Sequence, residues 1–598
     1  MNRRDLLRGA AGLGAAACWS GWAARVSAGT PADLPTVSGD EIVLRIARTA
    51  MTVDGRRGGA IGINGTAPAP LIRLREGQRA RIHVDNALDV ETSLHWHGLL
   101  VPAAMDGVPG VSFPGIAPGA RWTVDFPVVQ AGTYWYHSHS GLQEQEGLYG
   151  PIVIDPAEPG PPLREHVILL SDHPHIAPAA LFRRMKLGES YWDFQKQTLG
   201  GLLAGRDQRL KDRLAWGAMR MSPTDIADAT GAAYTYLVNG HGPRDNWTGL
   251  FVPGEAVRLR IVNASSMTTF NVRIPGLPLA IVAADGQDVR PVEVDEFQIG
   301  PAETYDAIVT PADMAYTLVG ESIDRSGMAR ATLAPRPVMA APVPPLRPRP
   351  VATMADMGMG GMAMGTGRPI DPSAERNASA ALATGPATAD DGTIDPAAMD
   401  HAAMGHGGMD PGPGAMRDFR NAPGVDRNPG VQTISPAPID RTDFPGQGLA
   451  DVGHRVLTYR QLAARTPNPD VRVPSRSITL HLTGNMERFM WSFDGVKMSD
   501  RHEPIPFRLG ERVRVTLVND TMMGHPIHLH GHFFELVTGQ GDHAPRKHTV
   551  IVQPGGTVTW DVTADAEGDW AFHCHMLYHM QAGMMRVVSV RADAGAAA

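Results

Sequence analysis

Close to its C-terminal end the chain reads His573–Cys574–His575, and His579 and Met584 follow shortly after. Successive side chains of an extended strand point to opposite faces. A strand here therefore aims Cys574 one way and both flanking histidines the other, and needs a polar, ligand-bearing environment on each side. A thiolate, imidazoles and a weak axial thioether form the donor set of an electron-transfer copper site. The two flanking imidazoles are left to serve a different metal on the opposite face, so more histidine pairs must be supplied from elsewhere.

The chain contains them. His95–Trp96–His97 and His137–Ser138–His139 lie in the N-terminal part, and His525–Pro526–Ile527–His528–Leu529–His530 lies in the C-terminal part. In a strand, histidines two apart share a face. One such pair is weak evidence of a site; four are not coincidence. The units 95/97, 137/139, 528/530 and 573/575 supply eight imidazoles, enough for three metal ions. His525, Cys574, His579 and Met584 remain for a mononuclear site, and only His532 of these motifs is unassigned. Several separate zinc sites would not call for the thioether.

The rest of the chain specifies the frame. At 598 residues it exceeds one ordinary core, and about two to four domains are expected. Short alternating apolar stretches, such as Ile42/Leu44/Ile46 and Val257/Leu259/Ile261, together with 66 Gly and 50 Pro, predict an all-β chain. β units are expected over 41–157, 163–335 and 451–592, with one or two helices inserted near 177–221, where apolar residues recur at helical spacing. His173, His175 and His241 have no partner group and read as structural or surface residues. Between 336 and 450 the sequence is rich in Pro, Gly, Met and His. Nine of the 28 methionines fall between Met354 and Met416, with few large apolar residues, which predicts a disordered linker. Soft thioethers suit Cu(I), so this segment is expected to acquire cuprous ions. The formal net charge of −8 and the lack of a basic cluster beyond the N-terminus exclude a nucleic-acid partner.

The chain starts Asn2–Arg3–Arg4–Asp5–Leu6–Leu7–Arg8, followed by a short Ala/Gly/Leu-rich run and the small-residue site Val26–Ser27–Ala28. This is the pattern of a twin-arginine export signal over 1–28, implying the twin-arginine machinery as partner and a periplasmic location, without stable membrane insertion after processing. Of the two cysteines, Cys18 lies in that leader, so Cys574 would be the single thiol of the mature chain.

The motifs HWHG, HSH, HPIHLHGH and HCHMLYHMQAGMM together resemble those of the multicopper oxidases. The resemblance implies three cupredoxin-like Greek-key β-barrel domains and four copper ions. His525, Cys574, His579 and Met584 would hold type 1 copper, and His95 and His528 type 2. His97, His137, His139, His530, His573 and His575 would hold the type 3 pair. It also implies electron transfer from Cys574 through His573 and His575, and reduction of O2 to water. Asp106 matches an acid used near the cluster in proton delivery. The segments from Arg220 to Asp228 and from Gly484 to Gly495 look like those of the bacterial copper resistance protein A group. Met580 stands where some bacterial members carry a Glu, which puts a carboxylate proton route there in doubt. The implied activity is oxidation of Cu(I), with phenols as further donors; a laccase-like phenol oxidase and a copper-sequestering protein are the alternatives. A monomer is expected. Met486, Met490 and Asp494 are candidates for holding substrate copper, or equally packing and turn residues.

Overall fold

A computed structural model describes residues 33–592, apart from 189, 219–220, 355, 357–416, 419, 421, 423, 426 and 501–502. The expected leader with Cys18, and the methionine-rich segment beyond Met354, lie outside the described residues.

Strand burial follows the sequence. In Glu41–Val53, Ile42, Leu44 and Ile46 are buried while Glu41, Val43 and Arg45 between them are exposed, as one covered face requires. The histidine-bearing strands differ. His95–His97 and His525–Leu529 are buried at every position, so both of their faces are covered.

The strands form three double-sheet units. In the first, a five-stranded sheet ends with Tyr149–Asp155, Gly132–His137 and His95–His97 as neighbours, and a four-stranded sheet is built around Glu41–Val53 and Arg79–Asn86. The second unit pairs a six-stranded sheet containing Arg164–Pro174 and Val257–Asn263 with a five-stranded one. The third pairs a seven-stranded sheet with a five-stranded sheet in which Met585–Arg591, Gly568–Cys574, His525–Leu529 and Thr549–Val552 are consecutive neighbours. One apolar core runs continuously through the second and third units, and another fills the first.

The insertion in the second unit forms three short helices rather than one or two: α1 (Pro178–Met185), α2 (Leu199–Leu203) and α3 (Leu210–Ala218). Pro178 occupies the first turn of α1, where its missing N–H costs nothing, and the Thr198 hydroxyl caps α2 by accepting from Gly201 N. Gly205, at φ +66°, turns the chain out of α2. Leu181, Met185, Trp192 and Trp216 anchor the insertion in the core.

The flanks of the expected linker are laid onto the body partly by charge. Arg347, arriving from the second unit, bonds Glu321 (Nε–Oε2 2.6 Å) and Glu296 (Nη2–Oε1 2.6 Å), both fully buried carboxylates. Arg441 bonds Asp356 at 2.9 Å, and Ile439–Asp440 pairs in parallel with Gly556–Thr563. A stretch too poor in apolar residues to make a core is thus still fixed, because arginine can satisfy carboxylates that the second unit would otherwise bury unpaired.

Candidate metal centre

The strand Gly568–Cys574 enters a tight turn and then α4 (Leu577–Gln581), which brings His579 back over Cys574. Met584 N donates to His579 O (3.0 Å) and Cys574 N to Met584 O (3.1 Å), so the backbone closes a small loop carrying the thiol, an imidazole and the thioether, all fully buried. The neighbouring strand adds His525, its register set by Ile527 opposite Cys574. Nδ1 of His525 and of His579 lie 3.6 and 3.7 Å from Cys574 Sγ and 3.2 Å from each other. Their far nitrogens are occupied: His525 Nε2 meets Thr521 Oγ1 at 2.7 Å, and His579 Nε2 meets Asp228 Oδ2 at 2.6 Å. Both rings therefore direct Nδ1 lone pairs at one point beside the sulfur. Trp491 stacks on His579 at 3.9 Å between centroids.

On the other face of the same strand, His528 pairs across from His573, and in the first unit His95 pairs across from His137. The two units meet so that eight histidines form one buried cluster. His139, His530 and His573 make one three-nitrogen group, and His137 and His575 face each other with Nε2 atoms 3.3 Å apart. His530 and His573 oppose Nε2 atoms at 3.0 Å. The outward nitrogens face acceptors: His530 Nδ1 meets Asp106 Oδ2 (2.9 Å), His573 Nδ1 meets Cys574 O (3.0 Å), and His137 Nδ1 meets Glu144 Oε2 (2.7 Å). His95 Nδ1 donates to Asp106 O (2.8 Å) and His528 Nδ1 to His548 O (2.7 Å). With the protons on Nδ1, the opposed Nε2 atoms present lone pairs to each other, an arrangement that calls for a cation between them. His95 Nε2, His139 Nε2, His528 Nε2 and His97 Nδ1 are buried with no hydrogen-bond partner among the described residues, a cost that coordination removes.

Electrostatics points the same way. Burial, then repulsion from neighbouring rings, holds His97, His137, His139, His525, His528, His530 and His575 well below the usual histidine value. Burial brings His573 to about 4 and His579 to about 3. All are neutral near pH ~7, the state a metal requires. Burial pushes the Cys574 thiol up, so a cation is what would ionise it. The donor set fits copper: thiolate, imidazoles and thioether in one pocket, imidazoles alone in the other.

The expected site residues come together as two groups, and the structure adds three not anticipated. His548 sets its Nδ1 3.2 Å from His97 Nε2, beside Thr549 Oγ1 at 3.3 Å, so His97 is engaged at Nε2 and turns Nδ1 to the cluster. A lone histidine in Arg546–Lys547–His548–Thr549 carries no spacing signal. Asp228 reaches His579 from the second unit; its segment carried a family likeness but no role. Burial raises its carboxyl to about 7. Glu144, beside His137, supplies a buried carboxyl at the cluster although Met580 does not, and burial raises its pKa. His532 is no part of either group: Nδ1 faces the His530 carbonyl at 3.1 Å and the ring stands edge-on to Trp570.

Of the three candidates for substrate copper, Met486 lines a narrow cleft with Met185, Asp225 and Asp228, whereas Asp494 does not reach it. Asp494 is a turn residue at φ 53° that bonds Arg586 (3.1 Å) and accepts from His481 N (2.8 Å). Met490 is half-buried beside Gly430.

Comparison with known proteins agrees with this geometry. Three family profiles, each described as multicopper oxidase, match residues 45–159, 165–335 and 472–594. The copper resistance protein A homolog of Pseudomonas syringae pv. tomato is 49% identical, over 93% of this chain and 93% of its own. Copper resistance protein A of Escherichia coli is 47% identical over 98% of this chain and 99% of its own. Among solved structures, the laccase from Botrytis aclada shares the fold at TM-score 0.60 and 20% identity, covering 94% of this chain and 90% of that one. With cupredoxin-like units, buried histidine clusters and relatives this similar along nearly the whole length, the chain belongs to the multicopper oxidase family and is a copper-dependent oxidoreductase.

Proposed function

We propose that the protein couples one-electron oxidation of Cu(I) to four-electron reduction of O2 to water, as a periplasmic copper-resistance oxidase exported by the twin-arginine route. His525, Cys574, His579 and Met584 would hold type 1 copper, His95 and His528 type 2, and His97, His137, His139, His530, His573 and His575 the type 3 pair. When bound, these coppers supply the redox chemistry, accepting single electrons at the first site and delivering them to oxygen at the cluster.

The chain's own part is geometric and protonic. Cys574 is covalently continuous with His573 and His575, so the peptide itself is the electron path between the pockets. Asp106 holds His95 through its carbonyl and His530 through its carboxylate, orienting rings from both units, and is placed to pass protons toward the cluster. Glu144 fixes the proton of His137 on Nδ1 and leaves Nε2 for metal. Burial keeps bulk water from both pockets.

The observation that favours Cu(I) is the cleft against His579. Two thioethers, Met185 and Met486, and two carboxylates, Asp225 and Asp228, line it, and Asp228 touches the imidazole that would receive the electron. Thioethers bind the cuprous ion and carboxylates favour the cupric product. The cleft is narrow, which suits an ion better than a phenol ring.

Oxygen uptake by copper-loaded Met486→Leu, with Cu(I) and a phenol as alternative donors, tests this. KM for Cu(I) is expected to rise about tenfold, and far more than KM for the phenol. Equal changes for both donors would reject Cu(I) as the donor this cleft selects.

A further inference from the structure

Six large apolar side chains of the helical insertion are more than half exposed. Leu187 and Phe194 are each 74% exposed, Leu199 68%, Leu203 81%, Leu210 58% and Leu214 65%. Four of them are ordered by helix geometry. Leu199 and Leu203 lie four residues apart in α2, and Leu210 and Leu214 four apart in α3, so each helix shows a leucine pair on one outward ridge. The hairpin is braced internally: Thr198 N donates to Asp207 Oδ2 (2.7 Å), Gln197 to Gln208 (2.8 Å) and Arg213 Nη1 to Thr198 O (3.0 Å). These leucines are therefore presented on a fixed element and not on a fraying end.

The charge around them is opposite to that of the whole chain. From Arg183 to Leu214 seven Lys and Arg are exposed, against one exposed acid among the described residues, Asp212, whereas the chain carries a formal net charge of −8. Outward leucines on short helices ringed by Lys and Arg are the composition of an interfacial membrane-binding element, in which the apolar ridge enters the acyl boundary and the cations meet anionic headgroups. Protein–protein interfaces are depleted in Lys at their cores and favour aromatic residues, Met and Arg. An apolar surface of this size, left to water, marks an interaction site.

We propose that this face docks the protein peripherally on an anionic phospholipid surface. Its place in the fold gives the docking a consequence. The Phe182 ring of α1 stacks on Tyr578 of α4 at 5.2 Å, and Met185 at the end of α1 lines the cleft beside His579. Docking would set the electron-accepting side of the molecule close to the bilayer.

The test is co-sedimentation of the copper-loaded full chain with vesicles of phosphatidylcholine alone and of phosphatidylcholine with phosphatidylglycerol. The expected result is at least tenfold stronger partitioning to the anionic vesicles, weakened by salt. The quadruple variant Leu199→Ser, Leu203→Ser, Leu210→Ser, Leu214→Ser should lose most of that partitioning, and Lys196→Glu with Arg209→Glu should lose it as well. Both should keep the copper content and the oxygen uptake with a soluble phenol. Because every variant retains the N-terminal segment, any difference between them reports on the insertion. Equal binding to both vesicle types, or anionic binding unchanged in both variants, would overturn the proposal. Leucine-dependent binding of polyaspartate with none to vesicles would also overturn it and assign the face to an acidic polypeptide.

Discussion

The thiol pocket and the histidine cluster share one strand, yet they are assembled in opposite ways. His525, Cys574, His579 and Met584 all come from the third unit, three of them from a single strand, turn and helix closed on itself by Cys574 N to Met584 O and Met584 N to His579 O. The cluster takes His95, His97, His137 and His139 from the first unit and the remainder from the third, so it exists only while those units are docked. The thiol pocket is a local structure. The cluster is an interface, and the carboxylates that hold its rings, Asp106 and Glu144, come from the first unit.

The largest effect expected on this division is that of Cys574→Ser. With type 1 copper held as proposed, it should abolish the blue absorption expected of a thiolate–copper pair and all oxidase turnover while the cluster keeps its copper, because the flanking histidines point to the other face and their backbone is unchanged. Metal analysis with electron paramagnetic resonance reads both. Turnover persisting without the thiol would reject Cys574 as the electron path, and loss of all copper would mean that the two sites are not separately assembled.

Docking of the third unit on the second should matter next. Lys547 is fully buried, with Nζ 3.1 Å from both Asp285 Oδ1 and Glu303 Oε1, and these carboxylates hold its pKa above the usual value against the burial that lowers it. Asp285 also accepts from His548 N and Thr549 N, which back the cluster. Lys547→Met leaves two buried carboxylates uncompensated and should cost about 3–5 kcal/mol in a denaturant titration. Cluster copper should be lost at lower denaturant than the blue colour. The reverse order would show that the thiol pocket is the more dependent on docking.

What could be read from the chain follows the same division. Histidines spaced two apart on strands, or grouped with a thiol within one strand and turn, leave a local pattern, and each of the eight clustered histidines and four thiol-pocket residues was legible at its position; so were the all-β frame and the presence of inserted helices. His548, Asp228 and Glu144 left no such pattern, because each meets its partner across hundreds of residues or through a fold that only packing creates. Met580 illustrates the limit: the chain shows that one carboxylate is missing, but not that Glu144 stands at the cluster by another route. The linker flanks are similar. Their poverty in apolar residues was plain, but the buried Glu296 and Glu321 that capture Arg347 became partners only in the folded second unit.

A smaller, sharper test is Asp106→Ala, which removes the carboxylate at His530 while leaving the backbone carbonyl at His95. Loss of a group that orients a ligand typically costs about 10–100-fold in metal affinity or activity. Oxygen reduction should fall within that range while the blue absorption stays unchanged. A matching change in the blue band would mean that Asp106 influences both pockets and would break the separation drawn between them.

The smallest effect should come from the exposed counterpart of the Lys547 contact. Arg455, leading into the third unit, grips Asp295 of the second with Nη2–Oδ1 at 2.8 Å and Nε–Oδ2 at 3.0 Å, both side chains about a third or more exposed. Bonding to Arg455 lowers the Asp295 carboxyl to about 2. A carboxyl whose folded value lies below its unfolded value of about 3.9 stabilises the fold above that value, and the gain disappears as pH falls from about 4 through about 2. Solvent screening limits it to about 0–1 kcal/mol. Denaturant midpoints of metal-free wild type and Asp295→Asn should therefore differ slightly near pH ~6 and converge below pH ~2. A gap that held or widened in acid would mean that the pair acts by shape rather than charge. A difference near pH ~6 as large as that of Lys547→Met would mean that docking is carried at the surface and not in the buried contact behind His548.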